Sequence, residues 1–143
     1  MSQDKSKSKT KPVIKTKISI AIGIIINSEN KVCLTKRQDH QTYANFWEFP
    51  GGKVDSNEKL EDALARELEE EIGIKVLRFD FMDCLESKTP SGRPLNLNFY
   101  KIKDYTGEPR SCEGQVLEWV ALDKLKDYKL LPANKPILKV LCS

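Results

Sequence analysis

The sequence predicts an α/β protein in which helices cover both faces of a mixed β-sheet. Three observations carry this prediction. Segments dense in β-branched residues recur along the chain, one strongly periodic helix interrupts them near the middle, and a shorter helical segment follows near the carboxyl terminus. Strands interleaved with a central and a terminal helix are typical of an α/β/α sandwich. The length of 143 residues allows one domain with a sizeable core, which we assign to residues 18–143.

Residues 1–17 are predicted to form a disordered basic tail. They contain six lysines against one aspartate, which gives +6 − 1 = +5 and leaves +3 − 5 = −2 for the rest of the chain. A block of like charge without apolar periodicity cannot bury a core. A solubilising extension is the favoured interpretation, ahead of a weak attraction to nucleic acid or to an anionic surface.

Several segments have the composition of β-strands. The first two, over 18–27 and 31–37, flank a Ser-Glu-Asn turn and are therefore predicted to pair as a hairpin. The further strands are predicted over 46–49, 74–87, 95–105 and 116–122, with a terminal helix over 134–141. A turn rich in proline and glycine separates the two long strands, and a polar loop over 107–115 precedes the last one.

The central helix has an apolar stripe with acidic residues along its border. Leucine or isoleucine recurs every fourth residue, at Leu60, Leu64, Leu68 and Ile72. On a helical wheel with about 100° per residue, these positions form one buried face. The carboxylates of the same helix that lie beside this face are Glu67, Glu70 and Glu71.

Three carboxylates at the border of a core repel one another, because the dielectric constant is low there. A hard divalent cation with oxygen ligands, such as Mg²⁺, would relieve that repulsion. The alternative for an acidic run taken alone is a solvated helix face, and this is the commoner situation.

The spacing of residues around these glutamates decides between the two interpretations. The chain matches the pattern G-x5-E-x7-R-E-U-x-E-E-x-G-U, where U is aliphatic, at Gly52, Glu58, Arg66, Glu67, Leu68, Glu70, Glu71, Gly73 and Ile74. This pattern is the Nudix box, and the chain resembles a Nudix hydrolase. The resemblance implies a Nudix-type sandwich in which Glu67, Glu70 and Glu71 are catalytic and bind Mg²⁺, with Mn²⁺ as a substitute and the Gly52 carbonyl as a further ligand.

The box also predicts local geometry. Lys59 stands at the amino-terminal cap, where relatives place Thr or Ser, so the helix should lack its usual side-chain cap. Gly73 fits a left-handed residue after the last turn, and Asn57 tolerates the same conformation. Arg66 can hold a box carboxylate through two parallel hydrogen bonds, which a lysine would do poorly.

Outside the box, the resemblance narrows to the MutT-type 8-oxo-dGTP diphosphatases and covers residues 18–141. The segments that carry it are 48–53 (EFPGGK), 107–115 (GEP…EGQ), 118–119 (EW) and 131–134 (LPAN). It implies a further metal ligand at Glu113 and substrate contacts at Arg37, Phe46, Glu48 and Asn134. A carboxamide offers a donor and an acceptor together, which suits the edge of a guanine-type base. The alternative for Asn134 is an N-cap of the terminal helix.

The activity implied is Mg²⁺-dependent hydrolysis of 8-oxo-dGTP to 8-oxo-dGMP and pyrophosphate, which cleanses the nucleotide pool. Three alternatives remain at this point. The chain could be a Nudix hydrolase of modified pyrimidine triphosphates, a Nudix hydrolase of RNA 5′ ends, or a nucleotide-binding module without catalysis. The complete set of box glutamates argues against the last of these.

Cysteine and histidine usage excludes other classes of site. Four widely spaced cysteines and a single histidine, His40, indicate neither a zinc site nor a disulfide framework, and we expect His40 to face solvent. A reducing cytoplasm is therefore the expected compartment. No apolar run is long enough to span a membrane. We expect a monomer that acts on a small nucleoside triphosphate, without a stable nucleic-acid complex.

Overall fold

Seven strands, two α-helices and two 3₁₀ helices make up the part of the chain that the computed structural model describes, residues 17–141. The strands are β1 (Ile18–Ile24), β2 (Lys31–Lys36), β3 (Trp47–Glu48), β4 (Gly51–Lys53), β5 (Lys75–Lys88), β6 (Pro94–Thr106) and β7 (Val116–Ala121). The helices are α1 (Leu60–Ile72) and α2 (Leu138–Leu141), with 3₁₀ helices over Leu122–Asp127 and Pro132–Ile137. The prediction of a disordered tail and of a domain boundary after residue 17 lies almost entirely outside the described residues. It stays a prediction.

The strands divide between two sheets. A mixed sheet has the order β4-β1-β6-β5, in which β1 runs parallel to β6 and antiparallel to β4. An antiparallel sheet has the order β3-β2-β7. The α/β class predicted from the sequence is confirmed.

Alternation along the strands sends side chains into two separate core clusters. On β1, Ile22 and Ile24 enter one cluster and Ala21 enters the other. The second cluster is completed by the apolar face of α1, and the first by Leu125 and Ile137 of the two 3₁₀ helices. Helical segments therefore cover both faces of the strands, as a sandwich requires.

Helix α1 has the geometry that its sequence predicts. Its buried residues are Ala63, Leu64, Leu68 and Ile72. Lys59 is the N-cap and makes no side-chain capping hydrogen bond, and Gly73 ends the helix in the left-handed conformation with φ of 72°. Asn57 is also left-handed, with φ of 66°. These local expectations are confirmed.

The predicted hairpin of the first two strands forms only at its turn. The Asn27 N–H donates to the Lys31 carbonyl at 2.9 Å, and one isolated bridge joins Ile26 to Val32. Beyond that bridge β1 pairs with β6 and β4, whereas β2 pairs with β7 and β3. The prediction that the first two strands pair with each other along their length was wrong, because each pairs over more residues with another strand of the chain.

The predicted terminal helix over 134–141 is also different in detail. A 3₁₀ helix occupies Pro132–Ile137, and α-helical geometry begins only at Leu138. Pro136 lacks the N–H that an α-helix would use at that position. No helix among residues 17–141 is long and apolar enough to cross a membrane.

Candidate active site

A cavity of about 720 Å³ is lined by residues of β1, β4, β6 and α1 and by residues of the segments that connect the strands and helices. Its lining contains seven residues that the sequence predicts as site residues: Arg37, Glu48, Gly52, Glu67, Glu71, Glu113 and Asn134. Two further predicted residues, Phe46 and Glu70, are not among the described residues that line it. The tertiary structure therefore brings together residues from nearly the whole length of the domain.

Glu71 lines the cavity and has a strongly raised pKa. Its Oε1 accepts a hydrogen bond of 2.9 Å from the Gly51 N–H. Burial, with smaller contributions from the nearby charges of Glu48, Glu113 and Glu67, raises the pKa of Glu71 to about 8 against the lowering effect of that hydrogen bond. A carboxylate here is unfavourable unless positive charge joins it.

Glu67 lies one turn earlier on α1, against the backbone of Gly52. A β-carbon at position 52 would come within 2.7 Å of Glu67 Oε2 and still closer to the other carboxyl atoms, so a larger residue there would displace the Glu67 carboxylate. Burial raises the pKa of Glu67, Arg66 lowers it, and Glu70 and Glu113 raise it. The carboxylate and the Gly52 backbone are thus held side by side.

Arg66 organises the exposed side of the helix. It donates to both oxygens of Glu58, at 2.8 and 2.9 Å, as the sequence predicts for a residue that forms paired bonds. The Arg66 hydrogen bonds lower the pKa of Glu58 to about 2. Arg66 Nη1 also donates to Glu67 Oε2 at 2.9 Å and to Glu70 Oε1 at 3.2 Å. Glu70, half-exposed, is therefore directed to Arg66 and not into the cavity.

The loop over 107–115 is fastened to the carboxyl end of α1, which places Glu113 at the cavity. The Gln115 side chain donates to the Glu71 carbonyl at 3.3 Å, and its oxygen accepts from the Glu113 N–H at 3.1 Å. Backbone N–H groups of Cys112 and Arg110 donate to the last carbonyls of the helix, at 3.1 and 3.0 Å. Carbonyls that a helix end leaves unpaired are satisfied in this way.

Other polar groups of the cavity, namely Arg37, Glu48 and Asn134, already have partners. Arg37 Nη1 donates to Glu48 Oε1 at 3.0 Å. Burial raises the pKa of Glu48, and the charge of Arg37 and this hydrogen bond lower it. Asn134, which is 3% exposed, accepts a hydrogen bond of 3.3 Å from the Phe49 N–H through Oδ1. We call the region of Arg37, Glu48 and Asn134 the nucleoside end, and the region of Glu67, Glu71 and Glu113 the carboxylate end.

Asn134 is not an N-cap. It lies inside the 3₁₀ helix Pro132–Ile137, whose N-cap is Leu131 and makes no side-chain capping bond. The amide instead ties this helix to the strand region before Gly51. The capping alternative is therefore wrong.

The structure adds residues to the cavity that sequence reasoning missed. They are Gln41, Thr42 and Tyr43 from one loop, Phe49, and Ser87, Lys88, Thr89 and Pro90 from the β5–β6 hairpin. Phe46, expected to form an apolar wall, packs against the Tyr43 ring at a centroid distance of 5.3 Å. His40 is exposed, as predicted. No spacing signal in the sequence marks the loop or the hairpin, although both contain turn residues of the kind that often flank binding sites.

The oxygen atoms of Gly52, Glu67, Glu71 and Glu113 are of the type that binds a hard divalent cation, although the side chains do not point to one common position. Among the described residues, no group of three or more His, Cys, Asp and Glu side chains is arranged to hold a metal ion. Carboxylate and carbonyl oxygens are nevertheless the ligands that Mg²⁺ prefers. Burial is the main cause that raises the pKa values of Glu67 and Glu71, and neighbouring glutamates add to it, so a cation at this place would favour the ionised carboxylates.

The chain matches the NUDIX domain over residues 17–141. It is 40% identical to the 8-oxo-dGTP diphosphatase of Escherichia coli (strain K12) over 122 residues, which are 85% of this chain and 94% of that protein. It is 33% identical to the CTP pyrophosphohydrolase of the same strain over 118 residues, which are 82% and 87% of the two chains. A solved structure from a study of MutT of Aliivibrio salmonicida and Vibrio cholerae has a TM-score of 0.76 and 39% identity, covering 88% of this chain and 97% of the other.

The family match over residues 17–141 includes both sheets, helix α1 and the whole lining of the cavity. It also includes the complete box over residues 52–74. The chain therefore belongs to the Nudix family of hydrolases.

Proposed function

We propose that this chain is a Mg²⁺-dependent nucleoside triphosphate pyrophosphohydrolase that converts 8-oxo-dGTP to 8-oxo-dGMP and pyrophosphate. Its role would be to remove oxidised guanine from the nucleotide pool before polymerases use it. The observation that carries the proposal is one cavity with carboxylates at one end and the buried carboxamide of Asn134 at the other. The relatives named 8-oxo-dGTP diphosphatase, at 40% identity, support the choice of substrate.

The nucleoside end suits a purine. The cavity volume of about 720 Å³ falls within the range of roughly 300–1,000 Å³ that is usual for small-molecule sites. Apolar side chains of β1 and β6 line it, namely Ile18, Ile20, Ile22, Leu95 and Leu97. The Asn134 oxygen has a second lone pair beyond the one that Phe49 occupies, and its nitrogen carries two N–H donors. A donor and an acceptor on one side chain can pair with a guanine-type edge, which is the contact that we propose.

The carboxylate end would hold the metal through Gly52, Glu67, Glu70, Glu71 and Glu113. When bound there, Mg²⁺, or Mn²⁺ in its place, supplies positive charge that neutralises the triphosphate and the carboxylates. Glu70 can join this set only by exchanging its Arg66 partner. Glu71 is held in place by Gly51, and Glu113 by the loop that Gln115 fastens.

The residues of the chain would orient and activate the attacking water. We assign the proton-accepting role to Glu67, because Arg66 fixes one of its oxygens and the Gly52 backbone supports it from behind. The water oxygen forms a bond to the β-phosphorus, and the bond from that phosphorus to the bridging α–β oxygen breaks. The nucleoside monophosphate leaves with the bridging oxygen, and pyrophosphate is the second product. Arg37, positioned by Glu48, would contact the nucleotide at the nucleoside end.

A second candidate is a pyrimidine triphosphate. It is favoured by the 33% identity to a protein named CTP pyrophosphohydrolase. RNA 5′ ends and a nucleotide-binding role without catalysis remain weaker alternatives, since no described contact favours either.

The proposal includes a monomer that acts in the cytoplasm without forming a stable nucleic-acid complex. The cysteines described by the structure, Cys33, Cys84 and Cys112, are free thiols, which is compatible with a reducing compartment. Size-exclusion chromatography with light scattering would test the monomer, and filter binding with single-stranded RNA would test the absence of a complex.

The deciding experiment is a substrate panel measured with the intact protein. The panel contains 8-oxo-dGTP, dGTP, dCTP, CTP and an RNA with a 5′-triphosphate, each with Mg²⁺ and with a chelator. We expect the highest kcat/KM for 8-oxo-dGTP, release of pyrophosphate and not of single phosphates, and no turnover with the chelator. A higher kcat/KM for a pyrimidine nucleotide would overturn the guanine assignment, and the absence of any turnover would leave only the binding module.

A further inference from the structure

Tyr43 adopts a backbone conformation that bulky residues rarely take. Its φ is 58°, in the left-handed region, where the β-carbon crowds the following carbonyl. Asparagine tolerates that region far better, and Asn45, two residues on, is left-handed with φ of 69°. Tyr43 is 41% exposed and lines the cavity. A strained residue at the wall of a site indicates that its position serves the site.

Hydrogen bonds on both sides of Tyr43 hold the loop in this conformation. The Asn45 N–H donates to the Arg37 carbonyl at 3.0 Å, and the Arg37 N–H donates to the Phe46 carbonyl at 2.8 Å. The Phe46 N–H donates to the carbonyl of Tyr43 itself at 3.1 Å. The surrounding structure therefore fixes the strained conformation, which a free loop would relax.

The Tyr43 ring is supported from behind. The Phe46 ring packs against it edge-to-face, at 5.3 Å between centroids and 72° between planes. Lys129 Nζ lies 4.3 Å from the centroid of Phe46. Phe46 is thus a support for Tyr43, and this accounts for its absence from the cavity lining.

Backbone hydrogen bonds connect the strand that follows the Tyr43 loop with the segment that carries Asn134. The Lys129 carbonyl accepts from the Trp47 N–H at 2.8 Å, and the Trp47 carbonyl accepts from the Leu131 N–H at 2.9 Å. Leu131 lines the cavity and is three residues from Asn134. The loop of Tyr43 and the segment that carries Asn134 are therefore joined through one strand.

We infer that Tyr43 is a substrate-binding residue whose ring packs against the nucleoside part of the bound triphosphate. The inference rests on the proposed function, because it takes a nucleotide as the ligand of this cavity. An aromatic ring buries apolar surface with only two rotatable side-chain bonds, so a supported tyrosine is a low-entropy wall for a base or a sugar. A ring that contacts the nucleoside and not the phosphates acts on binding and not on the chemical step.

The test separates the ring from the backbone conformation. Tyr43→Asn and Tyr43→Gly remove the ring with residues that accept a left-handed backbone, whereas Tyr43→Phe keeps the ring. We expect KM to rise about tenfold in the first two variants, with kcat within about twofold, since the loss of one base–aromatic contact has roughly that effect. Tyr43→Phe should keep most of the affinity. A titration of 8-oxo-dGMP by calorimetry should show the same weakening without turnover.

Asn30→Gly is the matched control, because Asn30 is left-handed with φ of 61° in a turn outside the cavity. That variant should leave both kcat and KM unchanged. All kinetics use whichever nucleoside triphosphate the unmodified protein hydrolyses best, so a failed guanine assignment does not remove the test. An unchanged KM in both ring-deletion variants would overturn the inference. So would a fall in kcat of more than tenfold with KM unchanged.

Discussion

The two ends of the cavity are built in opposite ways. At the carboxylate end, burial and mutual repulsion raise the pKa of Glu67 and of Glu71. At the nucleoside end, Asn134 is already hydrogen-bonded to the Phe49 N–H. The first end is electrostatically incomplete without a cation, whereas the second is preformed. Substitutions at the first should therefore act on turnover, and substitutions at the second on selectivity.

The largest effect is expected at the carboxylate end. Glu70→Gln and Glu71→Gln each remove a charge of the proposed metal site while keeping the side-chain volume, and each should lower kcat by about 10³-fold or more. Both variants should remain folded by circular dichroism. Near-normal turnover of either variant at saturating Mg²⁺ would contradict the metal assignment. Because Glu70 starts from an Arg66 contact and Glu71 does not, a much smaller loss for Glu70 would limit the metal set to the cavity residues.

The electrostatic contrast predicts a pH dependence of stability. Glu71 has a pKa of about 8 in the folded protein, above its ordinary value of 4.5, so the folded state keeps a proton that the unfolded state has lost between these values. Stability of the metal-free protein should therefore fall as pH rises from about 5 to about 8, by roughly 4 °C or more in Tm. Mg²⁺ should reduce the fall, and Glu71→Gln should flatten it. A metal-free Tm that is independent of pH in this window would show that the charge is already compensated.

At the nucleoside end, Asn134→Asp should change selectivity more than turnover. Aspartate keeps the oxygen that accepts from Phe49 but loses the two N–H donors. One lost bidentate contact corresponds to roughly 1–3 kcal/mol, or about 5- to 150-fold in the ratio of kcat/KM between 8-oxo-dGTP and dGTP.

Asn134→Ala is the second variant at this position. It should change the ratio as well, and it should also lower stability by about 1–3 kcal/mol because the buried Phe49 N–H loses its acceptor. A destabilised Ala variant together with an unchanged ratio of kcat/KM in both variants would show that Asn134 only stabilises the fold through its hydrogen bond with Phe49.

The smallest effect is expected away from both ends. Lys59 has extended N-cap geometry without a capping bond, so Lys59→Ser should stabilise α1 by about 0.5–1 kcal/mol. Tm should rise by a few degrees while kcat and KM stay unchanged, and Lys59→Ala should not produce the rise. A change in KM would show that the start of α1 is coupled to the cavity.

The carboxylate end was predictable from the sequence because its geometry is local. Glu67 and Glu71 lie on one helix with fixed spacing, and the periodicity of Leu64, Leu68 and Ile72 sets which way the helix faces. Glu113 lies on a distant loop, and only the family resemblance supplied it. At the nucleoside end, only the residues that the family resemblance implied could be predicted. Tyr43, Lys88 and Thr89 line the cavity but have no periodicity or spacing in the sequence that marks them. Phe46 was expected to line the cavity, whereas Tyr43 lines it and Phe46 packs against Tyr43.

The sequence by itself determined the α/β class, the boundaries of α1 and the left-handed Gly73, because helical periodicity and backbone freedom act over a few residues. Only the tertiary structure decided that β1 and β2 separate into two sheets, since competing pairings over long sequence distances cannot be ranked from local composition. It also decided that Asn134 binds Phe49, 85 residues away, and caps no helix. Hydrogen bonds across such separations depend on how the layers pack, and that packing is a property of the whole chain.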